Sequence, residues 1–495
     1  MKMKKLFWVF LILLTLSFVA ACGDKNNGDD DQPKEKDIDL GGQEFVIMVD
    51  TPNRQDPRTN EYERMYQQQK AQKIAEVEAK YNCKVVFKPY TSSWGHDRRN
   101  QLKEDNLAGK KEVHVFEVNS SWIPYLAENG VISDLKPYID TLIDKETEYW
   151  IEKEGYTKFK GGIYGYDDML NMAESGMFYN IELLGEVLGE ENKDLPSRLW
   201  LEGNWTWETF EQLVDQLYAW VIEQTEPYHV IGGMGYNWAY HMAAANGLNF
   251  VDNNFQIQFM NDDMIETFEF LRRLYNKSVV GKSPIWQTTT NWSLTAIPEF
   301  SAGKVFFHDG ESWYLSMQNR WLRTDQNRDF DIGFVPFPVG PNVKDDMSNY
   351  YISCITGQAT YVISSAFDKN RIPQGYEHMF LHDETIFKIW RDLQYFSPVG
   401  RESYANQFIT RRAVAYYGSE SSVEAHRTIL NKLNVEYFYY IEGMDNHEWA
   451  SGMGQLGLAV TEPGKDPRTA LQSLYVHVAT QIFEQFGIEQ EVPTV

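Results

Sequence analysis

Between residues 44 and 129 the chain alternates short apolar runs with longer helix-patterned stretches, and this alternation limits the fold more than any other feature. The run 44–49 (EFVIMV) reads as a buried strand, 60–81 as a helix and 84–88 as a second strand. A helix at 97–108, a strand at 113–118 and a helix at 122–129, closed by Gly130, continue the series. Strands joined through helices lie parallel, because each helix returns the chain to the same edge. The spacing therefore predicts a parallel sheet covered by helices.

Downstream the pattern turns more helical. Thr206 is suited to cap a helix over 207–223: its hydroxyl can accept a first-turn N–H, and Glu208 faces the positive helix end. Phe210, Leu213, Val214, Leu217, Tyr218 and Val221 then fall on one apolar stripe. Ile265, Phe268 and Leu271 mark another helix, and strands are expected at 304–307, 331–335 and 359–363. The last helix carries Asp466 as its cap, Pro467 in its first turn and Gly487 at its end.

The N-terminus sets the compartment. Lys2, Lys4 and Lys5 precede an uncharged run, 6–21, that is shorter than the ~20 residues needed to span a bilayer. A basic start, a short apolar stretch and a small-residue exit read as an export signal over 1–21. The exit Val19-Ala20-Ala21-Cys22 resembles a bacterial lipobox, which implies that Cys22 carries the lipid anchor on the outer face of the cell membrane. Residues 22–41 are mostly polar and charged and read as a disordered tether. Cys83 and Cys354 lie in strand-like stretches and read as buried free thiols, with a disulfide left open.

Charge excludes one class of partner. The chain holds 46 Lys and Arg against 71 Asp and Glu, a net charge of −25. Residues 1–37, the signal and most of the tether, hold six Lys against six acidic residues and contribute nothing to that total, so the folded body is strongly acidic and unsuited to a phosphate backbone. Motifs for chemistry are weak. Gly452, Gly454 and Gly457 have dinucleotide-loop spacing but follow no first strand, and a glycine-rich helix entry or turn is the better reading. Asp325, Asn327, Asp329 and Asp331 alternate as in a calcium loop, yet Phe330 and Pro336 stand where glycine and a bidentate glutamate belong. No catalytic residue, cofactor or metal is expected.

Several segments together are similar to the bacterial extracellular solute-binding proteins of family 1, the maltose-binding-protein-like receptors of ABC importers. Residues 125–135 (YLAENGVISDL) resemble that family's segment after the third strand. Residues 162–166 with 178–180 resemble its crossover between lobes, and 204–210 (NWTWETF) its "T-W-e-e-f" helix start. Residues 300–305 (FSAGKV), followed by Gly310 and Trp313, and the turn 333–338 (GFVPFP) complete the set. Phe306 and Phe307 replace the usual small-plus-Met pair, and 199–202 and 371–433 exceed the shorter members.

The resemblance implies an α/β, two-lobed periplasmic-binding-protein-like (type II) fold. Each lobe is a mostly parallel sheet flanked by helices, with a hinge and a ligand cleft between the lobes. It divides the body into 42–172 and 306–360 for lobe 1, and 173–305 and a helical 361–495 for lobe 2. It implies a monomeric receptor that closes on its solute and delivers it to permease subunits. Aromatics make up 15% of the chain, including 15 Trp, and an aromatic face suits the C–H face of a sugar ring. The expected ligand is therefore a carbohydrate, held by Asn119, Ser121, Trp122, Glu174, Tyr236, Asn237, Trp238, Asp309, Trp313 and Trp449. An exported glycan-active enzyme and a receptor for another solute are the alternatives.

Overall fold

The alternation at the start of the body builds a sheet. In a computed structural model of the chain, strands Glu44–Val49, Lys84–Pro89 and Val115–Asn119 lie parallel, with Glu44–Val49 in the middle. The structure describes residues 38–490 apart from 145–146, 149–153, 289–297, 317–319, 325–327, 355–356, 375–379, 445–451, 463 and 465. The signal, nearly all of the tether and Cys22 therefore lie outside the described residues. A fourth strand, Ala359–Ile363, pairs antiparallel with Val115–Asn119 and closes the other edge. The first helix is shorter than its pattern, Gln67–Tyr81. Tyr66 takes a left-handed backbone (φ 58), and the residues before it are tied elsewhere, the Glu63 amide to the Arg54 carbonyl at 3.0 Å.

A second sheet has five strands in the order Ile332–Val335, Ser175–Asn180, Val305–Glu311, His229–Gly232 and Trp286–Gln287. Four run the same way, and Ser175–Asn180 opposes both its neighbours. Each sheet is thus mostly parallel with one opposed strand. Helix Trp207–Val221 starts where expected, with Thr206 and Thr209 bonded reciprocally in a capping box, and packs on His229–Gly232. The glycine-rich helix start is also seen: Gly452 precedes helix Met453–Thr461. Gly457 then lets that helix press on Gly235, where an added Cβ would meet the Gly457 carbonyl at 3.4 Å.

Two expected boundaries are corrected by strand pairing. Segment 306–360 does not return to the first sheet, because Val305–Glu311 and Ile332–Val335 both pair with Ser175–Asn180. The return comes at Ala359–Ile363. Nor is 361–495 wholly in the second lobe: helix Asp383–Asp392 packs on Gln67–Tyr81 and on Ala359–Ile363. Only then do helices Gly400–Ile409, Glu420–Ile429, Met453–Thr461 and Pro467–Phe486 join the second lobe, Glu420–Ile429 against Ile332–Val335. The chain therefore crosses between sheets three times, near residues 167–174, between Cys354 and Ala359, and near 393–399. Cys83 and Cys354 are buried and unbridged.

Candidate functional site

Open α/β sheets bind ligands outside the carboxyl ends of their strands. Here the ends of Glu44–Val49 and Val115–Asn119 face the crossings, and a cavity of about 540 Å³ lies there. The first lobe supplies Arg54, Arg64 and Lys70, the crossings supply Glu174 and Gln358, and helical residues 404–416 supply Tyr404, Phe408, Arg411 and Tyr416. Tyr404 and Tyr416 are half-buried and present rings, while the cations and amide present donors. The wall from 404 to 416 includes a π-helical stretch, Thr410–Val414, a distortion common at functional sites.

The cations are fixed by buried carboxylates. Arg64 pairs with Glu117, donates to the Tyr361 hydroxyl at 2.6 Å and lies over that ring. Lys70 donates to Asp168 at 2.6 Å. Burial works against the Lys70 charge, but Asp168 and Tyr62 more than offset it and hold its pKa above the ordinary lysine value. Across the cavity, Arg411 Nη1 donates to the Arg64 carbonyl at 2.7 Å, joining the two walls.

Of the residues expected from sequence, Glu174 lines the cavity, where it accepts a hydrogen bond from Ser312. Trp313 stands in the turn leading to Ser316, another lining residue, with its indole N–H on the Glu311 carboxylate. Burial pushes Glu311 up to about 7.

The other described candidates do not line this cavity. Trp238 has no exposed surface; it packs on Phe210, Trp286 and Phe337 and donates to the Gly232 carbonyl at 2.9 Å. Its whole helix, Gly235–Ala244, is buried, which takes Tyr236 and Asn237 into the core. Asn119 caps a short turn by accepting from the amide and hydroxyl of Ser121 at 2.9 and 2.8 Å. Trp122 lies beneath Trp94, 4.9 Å between ring centroids, and is itself buried. Trp449 lies outside the described residues.

Asp309 is also enclosed, with Asn237 Nδ2 donating to it at 2.7 Å. Burial pushes its carboxyl up to about 7, while the neighbouring His308 is pushed down to about 4 and stays neutral. The folded pKa of Asp309 exceeds that of an unfolded Asp near 3.9, so the folded state holds the extra proton. That contribution is complete at low pH and is lost as pH rises through about 7. Asp309→Asn cannot ionise, so its stability relative to wild type is expected to improve from pH 5 to pH 8. Urea unfolding at each pH measures this; a pH-independent difference would mean that Asp309 does not titrate there.

Sequence reasoning missed Arg64, Tyr404, Arg411 and Tyr416. A sign lay in the helical region 371–433, which exceeds the shorter members of the resembling family and supplies the far wall.

The profile of a family described as "Bacterial extracellular solute-binding protein" matches residues 72–373. No curated protein sequence gives a significant match. Many solved structures share the fold, three of which follow. An ABC substrate-binding protein from Listeria monocytogenes in complex with cycloalternan is 15% identical, with TM-score 0.53 over 89% of this chain and 99% of that one. UgpB from Mycobacterium tuberculosis in complex with glycerophosphocholine is 13% identical, with TM-score 0.54 over 89% and 99%. A cyclo/maltodextrin-binding protein complexed with maltotetraose is 13% identical, with TM-score 0.54 over 89% and 97%.

Proposed function

The chain belongs to the bacterial extracellular solute-binding proteins, and from that premise we propose that its cleft captures a carbohydrate and hands it to the permease of an ABC importer. The observation that carries the sugar reading is the cavity wall. Two half-buried tyrosines offer ring faces, and Arg64, Lys70, Gln358 and Glu174 surround them with donors and acceptors. A sugar ring has an apolar C–H face and a hydroxyl rim, and each buried hydroxyl left unpaired costs about 1–3 kcal/mol. Such a wall answers both needs. Cycloalternan and maltotetraose, the ligands of two fold relatives, support the same class.

Function follows from a shift in population. A ligand touching both walls stabilises the closed arrangement only by its differential affinity for it. The Arg411 contact to the Arg64 carbonyl shows that the walls can meet at the cavity. No catalysis is part of this reading.

The test is a thermal-shift screen with cycloalternan, maltotetraose, a panel of other oligosaccharides and glycerophosphocholine, followed by chromatography of the mixtures. Reversible stabilisation by a saccharide without product is expected. A saccharide cleaved or altered would mean an enzyme, and stabilisation by glycerophosphocholine alone a receptor for another solute. We also propose attachment to the membrane through lipidated Cys22, motivated by the lipobox-like exit. Wild type is then expected to partition into detergent and Cys22→Ser into water; equal partitioning would rule the anchor out.

A further inference from the structure

The cavity reverses the charge balance of the chain around it. The whole sequence holds 46 Lys and Arg against 71 Asp and Glu. At the cavity, Arg54, Arg64, Lys70 and Arg411 stand against Glu63 and Glu174. Cations gathered in a cleft draw anions to it, even in a protein whose net charge is negative. Three of these four cations are answered by the chain itself. Arg54 pairs with Glu63, Arg64 with the buried Glu117 and Lys70 with the buried Asp168.

Arg411 is the exception. Among the described residues no carboxylate pairs with it, and its side chain makes one hydrogen bond, from Nη1 to the Arg64 carbonyl at 2.7 Å. A guanidinium carries five N–H donors, so most of them are left for another partner. The residue is exposed as well as lining the cavity, and a solute can reach it. Glu174 has the opposite deficit: it accepts from Ser312 and forms no ion pair among the described residues. Burial, with the Glu174 charge adding to it, raises the Glu311 carboxyl, so the two acids lie close enough to act on each other. That end of the cavity repels an anion and, since a carboxylate only accepts, takes hydroxyl donors.

We propose that the solute is an acidic saccharide, whose anion is received by Arg411 and whose hydroxyls donate to Glu174. This rests on the carbohydrate reading above and narrows it. The anion is a uronate carboxylate or a phosphate ester, because a guanidinium fork meets either with two parallel hydrogen bonds. Arg411 stands in the second-lobe wall and touches the first-lobe backbone, so the anion is held where the two walls meet.

The experiment uses the full chain and calorimetry with matched pairs that differ only in charge. Trigalacturonate and trimannuronate are each compared with their methyl esters, and maltotriose phosphate with maltotriose. In at least one pair, wild type is expected to bind the acid about tenfold more tightly than its neutral partner, equivalent to about 1.4 kcal/mol. A uronate pair identifies the anion as carboxylate, the phosphorylated pair as phosphate. Arg411→Gln should remove the difference within that pair, and Arg411→Lys, which keeps the charge without the fork, should retain part of it. Arg411 is exposed, so both variants are expected to keep the ligand-free melting temperature of wild type, which is measured alongside. An acid preference that survives in Arg411→Gln would overturn the role of Arg411. Neutral partners bound as tightly as every acid would overturn the acidic ligand and leave the carbohydrate reading standing. Failure of all six saccharides to bind wild type would overturn both.

Discussion

Trp238→Ala is expected to destabilise the folded protein by about 3–5 kcal/mol, the largest single-residue effect in the second lobe. The indole is wholly enclosed by Phe210, Trp286 and Phe337, and its N–H ends on the Gly232 carbonyl. Truncation leaves a cavity that close-packed neighbours fill only in part, and it orphans that carbonyl bond. Urea unfolding reads the loss directly, and calorimetry on the fraction that remains folded separates it from binding. Were Trp238 instead a platform for the ligand, stability would hold and affinity would collapse, and the present placement of the helix would be wrong.

The second large effect concerns the crossings. Asp168 accepts from Lys70 Nζ at 2.6 Å and from the Tyr395 amide at 2.8 Å, with 15% of the Lys70 side chain and 5% of that of Asp168 exposed. One carboxylate thus ties helix Gln67–Tyr81 to two of the three crossings. Removing one partner of a buried pair costs about 3–5 kcal/mol, chiefly because the other charge stays buried and uncompensated. Asp168→Ala is expected to lose about that much in urea unfolding. Adding Lys70→Met to it should recover part of the loss, since the stranded ammonium goes with it. Strictly additive losses would show that the two side chains do not depend on one another.

Much of the scaffold was legible because it is local. The apolar run at 44–49, the Thr206 cap and the Asp466-to-Gly487 frame of the last helix each depend on a few neighbouring residues. What failed was long-range. Nothing in the residues 305–311 states that their partner is 175–180 rather than 115–119; that is decided by how the whole chain packs. The site suffered for the same reason. Trp122 and Trp238 are aromatic residues near family-like segments, but an indole serves a core as well as a ligand, and burial is a tertiary property.

The single opposed strand of the first sheet has a consequence for the order in which the molecule can be made. Ala359–Ile363 lies far along the chain from the strand it covers, Val115–Asn119. A polypeptide that emerges N-terminus first therefore presents three strands with one edge uncovered until residue 363 has appeared. Contacts so distant in sequence are slow to form, since a long loop must close before they stabilise anything. Neither lobe is a continuous stretch that could finish by itself while the other is still being threaded. The late strand therefore leaves the first sheet incomplete until most of the chain has been made.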